Sequence, residues 1–175
     1  CNLKCRTCNP TNSSQIDREW ERIDAQTGNE HSQFWKRYNI SRASIGKWYE
    51  SEQFWSSVEE NLPYLKKIYM TGGEPTLIKR NLEFLRRCKE LGFASQIEIF
   101  FSLNLTQLED DFLDCLHGFR KVRINGSIDG YGAANDYIRF PSRWKDVDSN
   151  LRKLASLESL PLEVGTSTVI QPYNI

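Results

Sequence analysis

Neither charge sign is in surplus in this sequence of 175 residues: Lys and Arg number 23, and Asp and Glu number 23. The balance lacks the basic footprint of a nucleic-acid binder and the cationic face that draws proteins to anionic membranes. No apolar run approaches the roughly 20 residues that span a bilayer. No secretory leader pattern is present, although the chain starts at Cys1 rather than Met, so an upstream segment is expected. Histidine is scarce, with His31 and His117 alone. A soluble, cytoplasmic protein is expected, long enough to bury a core of its own.

What the chain does have is cysteine in an uneven pattern. Three of its five cysteines, Cys1, Cys5 and Cys8, fall within the first eight residues. Neighbours that close would strain a disulfide, and an odd number leaves one thiol over. In a reducing compartment, crowded thiols are metal ligands more often than bridges. Cys88 and Cys115 differ. Cys88 shares a helical stripe with Phe84 and Leu91, and Cys115 shares one with Leu108, Phe112 and Phe119. Both read as small buried apolar residues.

From Leu65 onward, short apolar segments alternate with amphipathic ones. Strands are expected at Ile68–Met70, Ile97–Phe101, Val122–Ile128 and Leu162–Ile170. Between them lie helical stripes at Ile78, Leu82, Leu85 and Leu91, ending at Gly92, and at 108, 112, 115, 116 and 119, ending at Gly118. Thr106 and Glu109 have the spacing of a capping box for the second helix. Trp144, Val147, Leu151 and Leu154 mark a third. Such alternation predicts an α/β fold, with βαβ units forming a parallel sheet under outer helices. Four strands are too few to close a barrel, so the first and last strands are expected outside residues 1–175.

Residues 12–62 are less regular and read as an aromatic-rich helical insertion. Ser14 and Asp17 can cap a helix running to about Ala25. Phe34, Trp35, Tyr38, Trp48, Tyr49, Phe54 and Trp55 follow among charged residues. They read as a packed excursion, with a substrate-facing lid as the second reading.

Cys1-Asn2-Leu3-Lys4-Cys5-Arg6-Thr7-Cys8 spells C-x3-C-x2-C. Thiolates suit iron–sulfur clusters or zinc. Three thiolates against four irons would leave one iron open to a ligand. A zinc site would need a fourth donor, and neither histidine has the short paired spacing of a zinc module. Thr71-Gly72-Gly73-Glu74-Pro75 follows an expected strand. The glycines allow close backbone approach, Glu74 can accept from an ammonium group, and Pro75 fixes the exit. Ser102 and Asn104 follow the second strand, and Ser127 and Asp129 end the third. Polar groups at the carboxyl ends of several parallel strands mark the edge where α/β barrels carry their sites.

These motifs together resemble the radical S-adenosylmethionine (radical SAM) superfamily. CNLKCRTCNP at 1–10, YMTGGEPTLI at 69–78, SIDG at 127–130, DYIR at 136–139 and QPYN at 171–174 look like members with a C-terminal twitch or SPASM extension. The resemblance implies a partial (β/α)6 TIM-barrel-like core over 1–175. It implies that Cys1, Cys5 and Cys8 hold a [4Fe–4S] cluster whose open iron chelates S-adenosylmethionine. Gly72, Gly73 and Glu74 would bind the methionine ammonium, and Ser102 and Asn104 would lie near the methionyl or ribose portion. Ser127 and Asp129 would face the ribose, Arg139 the methionine carboxylate, and Ile170 the adenine. Thr7 departs from the family pattern, which favours a large apolar residue before the third cysteine.

The reaction so implied is reductive cleavage of S-adenosylmethionine to methionine and a 5′-deoxyadenosyl radical that takes hydrogen from a substrate. A peptide or protein substrate and a reductant such as flavodoxin or ferredoxin are expected partners, with no nucleic acid and no membrane. Two alternatives stand beside this: a radical SAM activating enzyme or small-molecule cyclase, and a non-enzymatic, zinc-stabilised binding module.

Overall fold

The computed structural model describes residues 1–28 and 48–175. His31, Phe34, Trp35 and Tyr38 lie outside the described residues. Helix α1 (Ser14–Thr27) and helix α2 (Glu52–Glu60) occupy the described ends of the 12–62 stretch. Strand β1 (Lys67–Met70), helix α3 (Lys79–Glu90), strand β2 (Glu98–Leu103), helix α4 (Asp110–Leu116) and strand β3 (Lys121–Ser127) then alternate. Helices α5 (Ala133–Ile138) and α6 (Trp144–Ala155) precede strand β4 (Leu162–Ser167).

The four strands form one sheet in the order β1-β2-β3-β4, and every pair is parallel. This is the α/β arrangement that the alternating pattern predicts. Parallel neighbours require a crossover between strands, and the intervening helices supply it. Ile99, Phe101 and Leu103 of β2, with Val122 and Ile124 of β3, point under the helices and are buried. They meet Phe84, Leu85 and Cys88 of α3, Phe112, Cys115 and Leu116 of α4, and Val147 and Leu154 of α6 in one core. Phe101 and Phe112 meet edge to face with ring centres 5.1 Å apart. Cys88 and Cys115 are both buried here, as their apolar stripes predict.

Boundaries moved where side chains took over backbone bonding. Ser13, not Ser14, caps α1 by accepting from the Ile16 N–H. The expected Thr106–Glu109 capping box does not form. Helix α4 starts at Asp110 with Glu109 as a cap that makes no side-chain bond, and the Thr106 hydroxyl instead donates to Asn104. Strand β4 ends at Ser167, short of Ile170, because the next N–H groups leave the ladder: that of Val169 donates to the Asp129 carboxylate. No described helix is long and apolar enough to cross a membrane.

Candidate functional site

The carboxyl ends of β1, β2 and β3 carry the polar residues singled out above, and the cysteine loop lies across them. Directly after β1, Gly72 and Gly73 take left-handed conformations, with φ of 80° and 56°. A side chain at Gly73 would meet the backbone nitrogen of Cys1 at 3.3 Å. Two glycines here therefore serve both the turn and the close passage of the cysteine loop. Pro75 opens a single helical turn that carries the chain toward α3.

Glu74 follows and is 4% exposed. Its Oε2 accepts from the Asn104 N–H at 2.8 Å, and its Oε1 accepts from the Thr76 hydroxyl at 3.2 Å. Burial pushes its carboxyl up to about 7; the bonds from Asn104 and Thr76 and the charge of Arg139 oppose that shift without overcoming it. A carboxylate in this state ionises readily once a cation arrives.

Asn104 ties the strand end to the cysteine loop. Its Nδ2 donates to Asn2 Oδ1 at 2.6 Å, and its Oδ1 accepts from the Thr106 N–H at 3.0 Å and the Thr106 hydroxyl at 2.7 Å. Asn2 Nδ2 closes the ring by donating to the Thr106 hydroxyl at 3.1 Å. Between them Leu105 sits at φ 58°, a left-handed conformation uncommon for a leucine, fully buried. Asn150 Nδ2 holds its carbonyl at 2.9 Å, and its side chain occupies the space that a β-carbon on Gly126 would need.

The cysteine loop is fastened from both sides. Ser13, Ser14 and Gln15 at the start of α1 donate to the carbonyls of Leu3, Cys1 and Asn2 respectively. The N–H groups of Lys4 and Arg6 donate to the carbonyls of Phe140 and Ile138, at 2.6 and 2.8 Å. Arg6 also lies over the Tyr137 ring, 4.4 Å from its centre. Cys1, Cys5 and Cys8 are half-buried, and none forms a disulfide. Burial raises the Cys5 thiol above its ordinary range, Arg139 pulls it down, and Cys8 and Asp129 push it up. Among the described residues, no three Cys, His, Asp or Glu side chains converge on a point that could hold a metal ion. The thiols thus share a tethered loop without sharing a centre, and it is their chemistry, three half-buried thiols within eight residues, that fits an iron–sulfur donor set.

Asp129 and Arg139 form a buried pair at 2.7 Å, with side chains 3% and 14% exposed. The other Asp129 oxygen accepts from the Val169 N–H at 2.9 Å, and Asn174 Nδ2 donates to the Asp129 carbonyl at 2.8 Å. Asn135 Oδ1 accepts from the Asp129 N–H at 3.2 Å. Asp129 thus pins the segment after β4 to the end of β3. Arg139 Nε is buried and has no hydrogen-bond partner among the described residues. Ser127 ends β3 opposite Ser167, Ser102 bonds the Tyr69 hydroxyl at 2.9 Å, and Ile170 is 80% exposed at the rim.

Asn2, Thr106, Asn135 and Asn174 belong to this constellation although the sequence pattern did not single them out as site residues. Asn2 bonds Asn104 and Thr106 more than 100 positions away, and Asn174 bonds the Asp129 carbonyl 45 positions away, separations that no local spacing signals, whereas Asn135 lies six positions from Asp129. The only available cue was their position at or beside strand ends. The aromatic residues after 47 pack on the domain and line a cavity. Trp55 packs on Phe84 at 5.6 Å and its indole N–H donates to the Tyr49 carbonyl at 2.8 Å. With Trp48, Tyr49 and Phe54, it also lines a cavity of about 690 Å³ that runs to Gly72, Gly73 and Glu74.

Comparison with known families gives one finding. The Radical SAM superfamily matches residues 1–174, nearly the whole chain. No curated protein matches it.

Proposed function

The chain belongs to the radical SAM superfamily, a family of enzymes, and from that premise we propose that Cys1, Cys5 and Cys8 hold a [4Fe–4S] cluster beside a site for S-adenosylmethionine. When bound, the cluster supplies the electron that divides S-adenosylmethionine into methionine and a 5′-deoxyadenosyl radical able to take hydrogen from a substrate. The chain's own part is to bind, orient and shield.

Burial disfavours the Cys5 thiolate, the form a metal requires, and Arg139 opposes part of that cost. Glu74 accepts the methionine ammonium, with the turn at Gly72 and Gly73 keeping side chains out of the way. The Arg139 guanidinium pairs with the methionine carboxylate. Asp129 holds Arg139 in that orientation through their 2.7 Å bond. Ser102, Asn104 and Ser127 offer hydroxyl and amide groups to the ribose side, and Ile170 lies at the adenine end.

The observation that carries this reading is the buried Glu74, which touches Asn104 and, through it, the loop that bears the three cysteines. Five cysteines, none in a disulfide, suit a reducing compartment, which supports a cytoplasmic location and a flavodoxin or ferredoxin as reductant. The Ser127-Ile128-Asp129-Gly130 and Gln171-Pro172-Tyr173-Asn174 wording supports a twitch or SPASM member that modifies a peptide or protein.

Metal and sulfide analysis of protein prepared without oxygen is the test. The expected result is brown protein with iron and acid-labile sulfide that bleaches in air. One zinc per chain and no sulfide would establish the zinc module instead.

A further inference from the structure

Just past the end of β2 the chain turns through a left-handed corner at Leu105. A leucine with φ of 58° is uncommon, because its β-carbon crowds the following carbonyl. In the extended conformation that leucine prefers, the backbone would run straight on and carry Thr106 away from Asn104. The corner folds Thr106 back instead, so that its N–H and its hydroxyl both donate to Asn104 Oδ1. With that oxygen fixed, Asn104 aims its donors in two directions. Its backbone N–H goes to Glu74, and its Nδ2 goes to Asn2, the neighbour of Cys1. The corner thus sets a residue that bonds to both motifs.

Two contacts from outside this loop hold Leu105 in place. Its side chain is fully buried and lies over Gly126 of β3, where a β-carbon would stand 2.6 Å from Leu105 Cδ1. Its carbonyl accepts from Asn150 Nδ2 at 2.9 Å, and Asn150 sits midway along the outer helix α6. Lys153, about one turn further along α6, ties the same loop at another point, where its Nζ donates to the Leu108 carbonyl at 3.1 Å. That second tether lies beyond the corner and does not touch it.

We propose that Asn150 is a positioning residue for S-adenosylmethionine: by holding the Leu105 carbonyl it keeps the corner left-handed, and the corner keeps Asn104 between Glu74 and the cysteine loop. The inference rests on the function proposed above and extends that site to the outer helix layer. One neutral hydrogen bond favours the left-handed state by about fivefold. A site whose competent state is populated that much less binds its ligand that much less tightly.

The test measures S-adenosylmethionine affinity by calorimetry on the reconstituted protein, with amide hydrogen exchange and denaturant stability of the same variants. Asn150→Ala should lower affinity about fivefold and speed exchange at Asn104 and Thr106, while residues 99–101 of β2 exchange as in the parent. Alanine suits a helix interior, so α6 is retained. Asn150→Asp, which keeps the size and loses the donor, should lower affinity at least as far. Lys153→Met, which cuts the neighbouring tether, should bind like the parent. The deciding variant adds Leu105→Gly to Asn150→Ala. Glycine takes the left-handed corner without strain, so affinity should return to within about twofold of the parent. Stability should fall further at the same time, because a buried leucine is lost. A folding defect would move both quantities the same way. Parent-like affinity in Asn150→Ala, an equal loss in Lys153→Met, or a double variant that binds no better than Asn150→Ala overturns the proposal. A parent that binds no S-adenosylmethionine would instead overturn the function on which it rests.

Discussion

The helix-packed face of the sheet and the edge where its strands end use the same strands under opposite rules. Under the helices, Ile99, Phe101, Leu103, Val122 and Ile124 meet only apolar neighbours, and a cysteine there is one more small apolar group. At the strand ends, Glu74, Asn104 and Asp129 are just as buried, yet each is a polar group held by named bonds. Burial is free of polar cost in the first region and must be offset bond by bond in the second. The same residue type therefore does different work in the two places, and cysteine shows it most directly.

The sharpest break between them should come from Cys5→Ala. Removing one of three thiolates should abolish iron binding and S-adenosylmethionine cleavage, while thermal unfolding stays within about 1 kcal/mol because Cys5 is only half-buried. Iron per chain and a melting curve measure both.

A smaller effect belongs to pH. Glu74 is held at about 7, above its ordinary 4.5, so between those values the folded chain keeps a proton that the unfolded chain has lost. The contribution of this carboxyl to stability should be greatest below pH 4.5 and fall as pH rises through 7, by about 3 kcal/mol in all. Denaturant titrations of Glu74→Gln should lack this component, so the variant should gain on the parent between pH 5 and pH 8. Parallel curves would mean that the carboxyl is not desolvated.

The smallest effect is expected on the helix-packed face. Cys88→Ala should retain full iron and cost about 1 to 2 kcal/mol of stability, since a small side chain leaves a closed core. Iron loss in this variant would erase the distinction between the two kinds of cysteine.

The helix-packed face was the more legible of the two. Period-2 strands and helical stripes follow from burial on one side, which is a local property, so Ile97–Phe101 and Trp144–Leu154 announced β2 and α6. The ends of elements were less legible. Ser13 rather than Ser14 caps α1, and Thr106 bonds Asn104 instead of capping α4, because each hydroxyl had a competing partner. In the site, Gly72, Gly73 and Glu74 stood out through their spacing. The ring of Asn2, Asn104 and Thr106 did not, because it joins residues more than 100 positions apart.

Affinity for S-adenosylmethionine in Glu74→Gln tests the central claim most directly. The substitution keeps the shape of the turn and an acceptor for the Asn104 N–H while removing the charge that faces the ammonium. A hydrogen bond to a charged group contributes about 1.5 to 3 kcal/mol, so affinity should fall about ten- to a hundredfold while iron per chain is unchanged. Parent-like affinity in Glu74→Gln would contradict the account, leaving Gly72-Gly73-Glu74-Pro75 as a turn and nothing more.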